Sequence, residues 1–149
     1  MNTPGDLSYI LNHLGEEREQ YAHAVVPPIW QSSLYAAPTV AAMRAAIADE
    51  LDQHFYTRGN NPTVAILRRK LAALEGAEDA LLFGSGAAAV AAAVLACVRA
   101  GDHVVGVQKP YAWTKTLLQR MLPRMGVTTT LVDARDPLAV EAALGPETR

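Results

Sequence analysis

Short apolar segments alternate with helical patterns from residue 80 to residue 144, and this alternation limits the possible folds more than any other feature of the sequence. Each apolar segment has the length of a strand, and each helical pattern is long enough to connect two parallel strands. We therefore predict an α/β fold in which a mostly parallel sheet is covered by helices. The predicted strands are 80–83, 103–107 and 128–133, and the predicted helices are 86–99, 111–125 and 137–144.

The residues before this region predict helices separated by loops. Adjacent prolines make the segment 25–35 extended, and a run of Gly and Asn residues marks an irregular loop at 54–63. The predicted helices are 7–19, 39–51 and 62–75, with Thr39 as a candidate N-cap, Pro62 in the first turn of the third helix and Gly76 at its end. The third helix has an apolar face, formed by Val64, Leu67, Leu71 and Leu74, while Arg68, Arg69 and Lys70 lie mainly on the other side.

Charge and composition exclude several classes of protein. The net charge of −2 over 149 residues shows no basic excess, so nucleic acid is not an expected partner. The longest apolar run, 87–98, is too short to span a bilayer, and no signal peptide is recognisable, so we expect a cytoplasmic protein without a membrane partner. Cys97 is the only cysteine, and the four histidines lack metal-ligand spacing to one another or to it, so we predict neither a disulfide nor a metal site.

The Gly-Ser-Gly turn at 84–86 joins the first predicted strand to a helix, a place where backbone N–H groups can bind an anion. Three interpretations are open: a dinucleotide-binding turn, a turn that only allows close helix packing, and a phosphate site for a smaller cofactor. The segment 84–89 fits the dinucleotide pattern G-x-G-x-x-A. Asp102, however, precedes the strand 103–107 and so lies at the wrong end of it to bind a ribose.

A loop earlier in the sequence favours the phosphate interpretation. Tyr56 and Arg58 project on the same side if their loop is extended, and together they offer a phenol and a planar guanidinium to phosphate oxygens. Taken singly, a half-buried tyrosine and a surface arginine explain them as well. The residues alone therefore leave both a structural and a phosphate-binding turn possible.

Five blocks of sequence occur in a familiar order and spacing: AVVPPIWQSSLY (24–35), YTRGNNPT (56–63), LAALEGAEDALLFGSGAAAVAAAVLA (71–96), GDHVVGVQKPYAWT (101–114) and LPRMGVTTTLVD (122–133). Together they resemble the N-terminal part of the pyridoxal-phosphate (PLP) enzymes of cysteine and methionine metabolism. This family includes cystathionine γ-synthases, cystathionine β- and γ-lyases, methionine γ-lyases and their homocysteine-forming relatives. The resemblance implies PLP as the cofactor, and it implies the first part of a fold-type-I PLP-dependent transferase large domain, which this sequence leaves incomplete.

The resemblance also implies roles for two groups of phosphate-binding residues. Tyr56 and Arg58 correspond to the family's Tyr-x-Arg loop, which reaches the cofactor phosphate of a neighbouring subunit. Ser85, Gly86 and Ala87 correspond to the family's Ser-Gly-Met turn, whose backbone N–H groups hold the same phosphate. Alanine in place of methionine preserves the backbone donors but removes packing over the cofactor.

A third block of the resemblance concerns the cofactor ring and the substrate. Tyr111 corresponds to the tyrosine that stacks on the pyridine ring and takes part in proton transfer. Trp113 stands where relatives have Gly or Cys near the substrate, so it is expected to reshape the substrate pocket. Lys115 belongs to the helix after this block and is expected to be exposed rather than to hold the cofactor.

The family's Schiff-base lysine lies in a later Ser-x-Thr-Lys motif that this sequence does not contain. We therefore expect residues 1–60 to form an arm and helix that contribute to a neighbouring subunit's site, and 61–149 to form the first part of the PLP-binding large domain, truncated before the lysine. The sequence ends at GPETR, where the alternation calls for another strand, which also suggests part of a larger fold.

The resemblance implies the N-terminal portion of a trans-sulfuration enzyme. Its chemistry would be β- or γ-elimination or γ-replacement on cystathionine, homocysteine, homoserine-ester or methionine-like amino acids. It would act in a homo-oligomer, a dimer of dimers, or with a C-terminal half that carries the lysine. Without that lysine, whether the chain alone is an enzyme stays open. The alternative is a non-catalytic truncated paralogue that docks on a full-length relative.

Overall fold

The computed structural model describes residues 6–149, which form two compact units, one ending at Leu82 and the other spanning Phe83–Arg149. The first unit is built from helices and loops, and the second combines helices with a parallel pair of strands. None of the helices in the described part of the chain is long and apolar enough to cross a membrane.

The helices of the first unit begin at polar caps. α1 (Leu7–Asn12), a 3₁₀ turn (Arg18–Tyr21), α2 (Val40–Ala48) and α3 (Pro62–Glu75) follow in order. The hydroxyl of Thr39 accepts a hydrogen bond from the Ala42 N–H at 3.0 Å, which confirms the predicted cap. The prediction of one helix over 7–19 is wrong, because Gly15 has a φ of +77°, a left-handed conformation that ends helical hydrogen bonding.

The buried side of α3 differs from the predicted one. Leu67 on the apolar face is 48% exposed within this chain, whereas Arg68 is only 8% exposed. The Arg68 guanidinium forms an ion pair with Asp79 and donates to the Ala80 carbonyl at 2.9 Å. These partners allow the charge to be buried, because a buried cation is tolerated only when it is paired and hydrogen-bonded.

The second unit contains the predicted alternation of helices and strands. Its elements are α4 (Gly86–Cys97), β1 (His103–Val107), α5 (Ala112–Thr116), a π-helical stretch (Leu117–Met121), α6 (Leu122–Arg124), β2 (Thr128–Val132) and α7 (Pro137–Ala143). The two strands are parallel, and their register pairs His103 with Thr128 and Val107 with Val132. The crossover through α5 and α6 therefore confirms the predicted parallel connection.

The predicted strand at 80–83 is not formed, because no other segment among residues 6–149 pairs with it. A strand needs a neighbour for its backbone N–H and C=O groups, and apolar sequence alone does not supply one. At the free edge of β1, Thr148 instead forms a parallel bridge to His103. This bridge lies where the alternation in the sequence called for a further strand.

The core of the second unit lies between the sheet and the helical crossover. Leu117, Leu118, Leu122 and Val127 are almost completely buried. Gly106 in β1 allows this close packing, since a Cβ at that position would lie 2.8 Å from Leu118 Cδ1. The core thus holds α5 and its following turns firmly against β1.

A proline ends the π-helical stretch. The Leu122 N–H donates to the Leu117 carbonyl, five residues back, so the next donor in this pattern would belong to Pro123, which has no N–H. The Leu118 carbonyl, left without that donor, accepts a hydrogen bond from Thr129 Oγ1 at 3.1 Å. A hydroxyl from β2 therefore satisfies the buried carbonyl that the proline leaves unpaired.

Candidate functional site

The amino end of α4 presents two backbone donors without partners. Ser85 is the N-cap; its hydroxyl accepts from the Ala88 N–H at 3.2 Å, and its carbonyl accepts from the Ala89 N–H at 3.1 Å. No group in the described part of the chain accepts from the N–H of Gly86 or Ala87. These two donors, at the positive end of a helix dipole, are suited to an anion.

A cavity of about 560 Å³ opens at this end of α4. Tyr111 precedes α5 and is 67% exposed, and Trp113 in the first turn of that helix is 64% exposed. The cavity is lined by Ser85, Gly86, Ala87, Val90, Tyr111, Trp113 and Thr114. The structure therefore brings together all five predicted site residues of the second unit, and adds Val90 and Thr114, which the sequence did not single out.

A second cavity of about 310 Å³ adjoins the first between α4 and the helix after Tyr111. It shares Ala87, Val90, Trp113 and Thr114 with the first cavity. Its other lining residues are Ala88, Ala91, Thr116, Leu117 and Met121. Neither cavity is lined by a charged side chain of the described residues, so the only charge that this unit offers to an anion there is the helix dipole.

Tyr56 and Arg58 lie in the first unit, on the loop before α3. Tyr56 forms an antiparallel bridge with Leu34 of the segment 25–35, which is called the arm below. The Arg58 guanidinium carbon lies 5.2 Å from the centre of the Tyr56 ring, a cation–π distance. The two side chains are therefore adjacent, but the loop is not extended as the prediction assumed, because residues 57–59 form a turn in which the Gly59 N–H donates to the Tyr56 carbonyl at 2.9 Å.

Asp102 has a structural role. It is buried at the amino end of β1, where its carboxylate accepts from the Arg99 N–H at 2.8 Å and lies 3.6 Å from Arg149 Nε. A ribose-binding carboxylate would lie at the opposite end of this strand. The geometry therefore opposes a dinucleotide site at the Gly-Ser-Gly turn.

Two carboxyl groups with lowered pKa values lie away from the cavity at α4 and the cavity that adjoins it. A hydrogen bond from Arg68 holds the pKa of Asp79 below its ordinary value, and one from Arg135 does the same for the pKa of Asp133. Lys115 is exposed and does not line either cavity, as predicted. Among residues 6–149, no group of three His, Cys, Asp or Glu side chains could hold a metal ion.

The cavity at α4 fits a phosphorylated aromatic group. Gly86 and Ala87 provide backbone donors for a phosphate, and a Cβ at Gly86 would meet no heavy atom within 4 Å, so there is room beside them. The exposed ring of Tyr111 provides an aromatic face on the same cavity. This combination of donors and ring suits PLP better than it suits an unphosphorylated apolar ligand.

Comparison with known proteins identifies the class. The chain belongs to the Cys/Met metabolism PLP-dependent enzyme family, whose model matches residues 9–149. It is 37% identical over 137 residues to an L-methionine gamma-lyase of Pseudomonas deceptionensis, covering 92% of this chain and 34% of that protein. It is 42% identical over 122 residues to the L-methionine gamma-lyase of Porphyromonas gingivalis, covering 82% and 31% respectively.

A solved structure confirms the fold. The cystathionine gamma-lyase from Lactobacillus plantarum, solved with L-serine, superposes with a TM-score of 0.80 at 31% identity, over 97% of this chain and 35% of that one. The chain thus spans about a third of the length of the proteins it matches. The predicted family, its PLP dependence and the partial α/β fold are confirmed, while the roles of the individual site residues stay predictions.

Proposed function

We propose that this chain provides the phosphate-binding turn and the ring-stacking tyrosine of a PLP-dependent enzyme that acts on sulfur amino acids. The observation that carries the proposal is the pair of N–H groups of Gly86 and Ala87, which have no acceptor among residues 6–149 and open onto the same cavity as Tyr111. Hydrogen bonds from neutral N–H groups to a phosphate are charge-assisted and therefore strong. Family membership adds the identity of the phosphate ligand.

Each residue of the turn has a separate task in this proposal. The Ser85 hydroxyl accepts from the Ala88 N–H and so caps the amino end of α4. The N–H groups of Gly86 and Ala87 are thereby left for the phosphate. The Tyr111 ring covers one face of the pyridine, and its phenol can hold and pass on a proton near the substrate. When bound, PLP supplies an electron-withdrawing ring that stabilises negative charge at the substrate Cα.

Trp113 is proposed to form a wall of the substrate pocket. Its exposed indole lines both the cavity at α4 and the adjoining apolar cavity. The reaction proposed for the complete enzyme is β- or γ-elimination or γ-replacement on cystathionine, homocysteine, homoserine-ester or methionine-like substrates. The family includes proteins named for different ones of these reactions, such as methionine gamma-lyase and cystathionine gamma-lyase.

The remaining parts of the site are proposed to come from outside this chain. The sequence contains three lysines, Lys70, Lys109 and Lys115, and none of them lines the cavity at α4. We therefore assign the Schiff-base lysine to a polypeptide segment outside these 149 residues. The proposal includes a cytoplasmic homo-oligomer in which residues 1–60 serve a neighbouring subunit. The comparisons give no support to the alternative of a non-catalytic docking paralogue.

Phosphate recognition can be tested with two probes that lack the aldehyde and so cannot react with lysines. Trp30→Phe leaves Trp113 as the only tryptophan, and its fluorescence reports binding at the cavity. Pyridoxine 5′-phosphate should quench this emission saturably, with a Kd at least about tenfold below that of pyridoxine, because only the former offers a phosphate. Trp113→Phe, which keeps only Trp30, is the matched control for the reporter. Equal affinities for the two probes would contradict the proposal.

The source of the lysine has its own test. The purified chain is treated with PLP and borohydride, and the labelled peptides are mapped. We expect substoichiometric labelling spread over the three lysines. A stoichiometric adduct on one of them would show that the chain itself supplies the covalent attachment.

A further inference from the structure

The Asn-Pro-Thr sequence at the start of α3 binds both backbone polar groups of one residue of the arm, Trp30. Thr63 Oγ1 accepts from the Trp30 N–H at 3.0 Å, and Asn61 Nδ2 donates to the Trp30 carbonyl at 3.0 Å. Pro62 between them has no N–H that could compete for the carbonyl. The side chains of the N-cap and the first turn of α3 therefore pair with this arm residue as a neighbouring strand would.

Asn61 is at the centre of a larger network. The residue is only 5% exposed, and its Oδ1 accepts from the Thr63 N–H at 2.9 Å, which caps α3. Its Nδ2 also lies 3.2 Å from Thr57 Oγ1 and 3.3 Å from Tyr35 Oη. A reversed amide would place Oδ1 beside the Trp30 carbonyl, so only one orientation satisfies the network.

Thr57 connects this hydrogen-bond network to Tyr56 and Arg58, the two predicted phosphate ligands. Its hydroxyl lies within hydrogen-bond distance of Asn61 Nδ2 and donates to the Ser32 carbonyl. Its backbone N–H donates to the next arm carbonyl at 3.0 Å. Tyr56 bridges Leu34 of the arm, and its carbonyl accepts from the Gly59 N–H at 2.9 Å, so a turn follows it. Anchoring Thr57 on the arm therefore fixes the turn that carries Arg58, whose guanidinium carbon lies 5.2 Å from the centre of the Tyr56 ring.

We propose that Asn61, Thr63 and Thr57 form a clamp on the arm that positions Tyr56 and Arg58 for the phosphate of a neighbouring subunit. The clamp residues are positioning residues, since their polar side chains are engaged by the arm, the loop and α3. Arg58 recognises phosphate through a planar fork, so its contribution depends on the angle at which the loop presents it. This inference rests on the proposed function for its ligand, whereas the clamp itself can be tested without any ligand.

The first test measures how firmly the loop is held. Trypsin cuts after Arg58 only when the loop opens. If the loop recloses faster than trypsin cuts, the cutting rate is proportional to the fraction of molecules with an open loop. Thr57→Val removes the hydroxyl and keeps the shape, and it should raise cutting after Arg58 by about tenfold, the effect of one or two lost hydrogen bonds. Thr57→Ser keeps the hydroxyl and is the matched control. Cutting after Arg44 in α2 serves as the internal reference.

The clamp is refuted if Thr57→Val cuts after Arg58 at the rate of Thr57→Ser. It is also refuted if Thr57→Val raises cutting after Arg44 by the same factor, because the whole unit would then be destabilised. Asn61→Asp is a second variant, which keeps the helix cap but loses the amide donors. It should increase cutting after Arg58 selectively, and a wild-type rate would contradict the role of the Asn61 amide.

The second test measures positioning, which a merely structural role would not affect. The phosphate preference is the ratio of the pyridoxine Kd to the pyridoxine 5′-phosphate Kd. Arg58→Ala and Thr57→Val should each lower it by about tenfold relative to Thr57→Ser. Loss of preference in Arg58→Ala alone would overturn the positioning role while leaving the proposed function intact. A wild-type chain without any preference would instead overturn the proposed function, and trypsin cutting would then decide the clamp by itself.

Discussion

Gly86 allows one proposed phosphate donor to be removed without disturbing the helix that carries it. Gly86→Pro deletes the N–H at the first position of α4, where proline is favoured because its fixed φ suits the helix. Ser85 before it has φ −159° and ψ 153°, the extended conformation that a residue preceding proline prefers. Gly86→Ala is the matched control, since it keeps the N–H and its Cβ would meet no atom within 4 Å.

The expected magnitudes separate binding from stability. A charge-assisted hydrogen bond contributes about 1.5–3 kcal/mol, so Gly86→Pro should weaken pyridoxine 5′-phosphate binding by about 10- to 150-fold relative to Gly86→Ala. The Kd for pyridoxine, which has no phosphate, should not differ in this way between the two variants. The free energy of unfolding should rise by about 0.5–1 kcal/mol in Gly86→Ala and by a similar amount in Gly86→Pro, because both restrict the unfolded chain.

Both quantities can be measured on the same samples. Quenching of Trp113 fluorescence in the Trp30→Phe background gives the two Kd values, and urea unfolding followed by circular dichroism gives the stability. If Gly86→Pro binds the phosphorylated probe as tightly as Gly86→Ala does, the Gly86 N–H is not a phosphate donor. If Gly86→Pro instead unfolds more easily than wild type, the assignment of this residue to the first turn of α4 is wrong.

Three further predictions concern the fold. Thr129→Val should destabilise the second unit by about 1–3 kcal/mol relative to Thr129→Ser, because it leaves the buried Leu118 carbonyl unpaired; equal urea midpoints would contradict this account. Gly126→Ala should lower the free energy of unfolding by about 1–2 kcal/mol, because the φ of Gly126 is +77°, and thermal unfolding measures the change. Its sign is opposite to that expected for Gly86→Ala. Asp79 has a lowered pKa, so its ionised form is favoured in the folded chain, and its pairing with Arg68 is complete above pH ~4 and is lost as the pH falls through the lowered value. Asp79→Asn should remove the loss of stability that protonation of Asp79 causes at low pH. A pH profile of stability identical to that of the wild type would refute this role of the ion pair.

Most elements of the fold could be predicted because their signals are local. Thr39, a polar residue before an apolar helical pattern, predicted the start of α2, and Gly76 predicted the end of α3. The prediction over 7–19 failed at Gly15, whose left-handed turn packs so closely on α3 that a Cβ there would lie 3.3 Å from Ile66 Cα. The strand at 80–83 failed because a strand requires a partner that periodicity does not reveal.

The candidate site was also predicted in part. The five site residues of the second unit line one cavity because Ser85, Gly86 and Ala87 form the start of α4, and Tyr111 and Trp113 lie at the start of α5. Short motifs indicate both helix starts. The clamp around Asn61 was missed, although the NNPT motif was visible as a loop signal. Its partner Trp30 lies 31 residues earlier in the chain, and nothing in the local pattern connects the two.

The sequence by itself determined where α2 begins and α3 ends, that the two strands are parallel, and that a Gly-Ser-Gly turn precedes α4. Capping, glycine conformation and apolar spacing act within a few residues, so they can be recognised in the sequence directly. Only the tertiary structure decided that Arg68 is buried, that Thr129 satisfies the Leu118 carbonyl, and that Asn61 binds the arm. In each case a polar group distant in sequence satisfies one that burial would otherwise leave unpaired, and such pairing follows from packing rather than from local pattern.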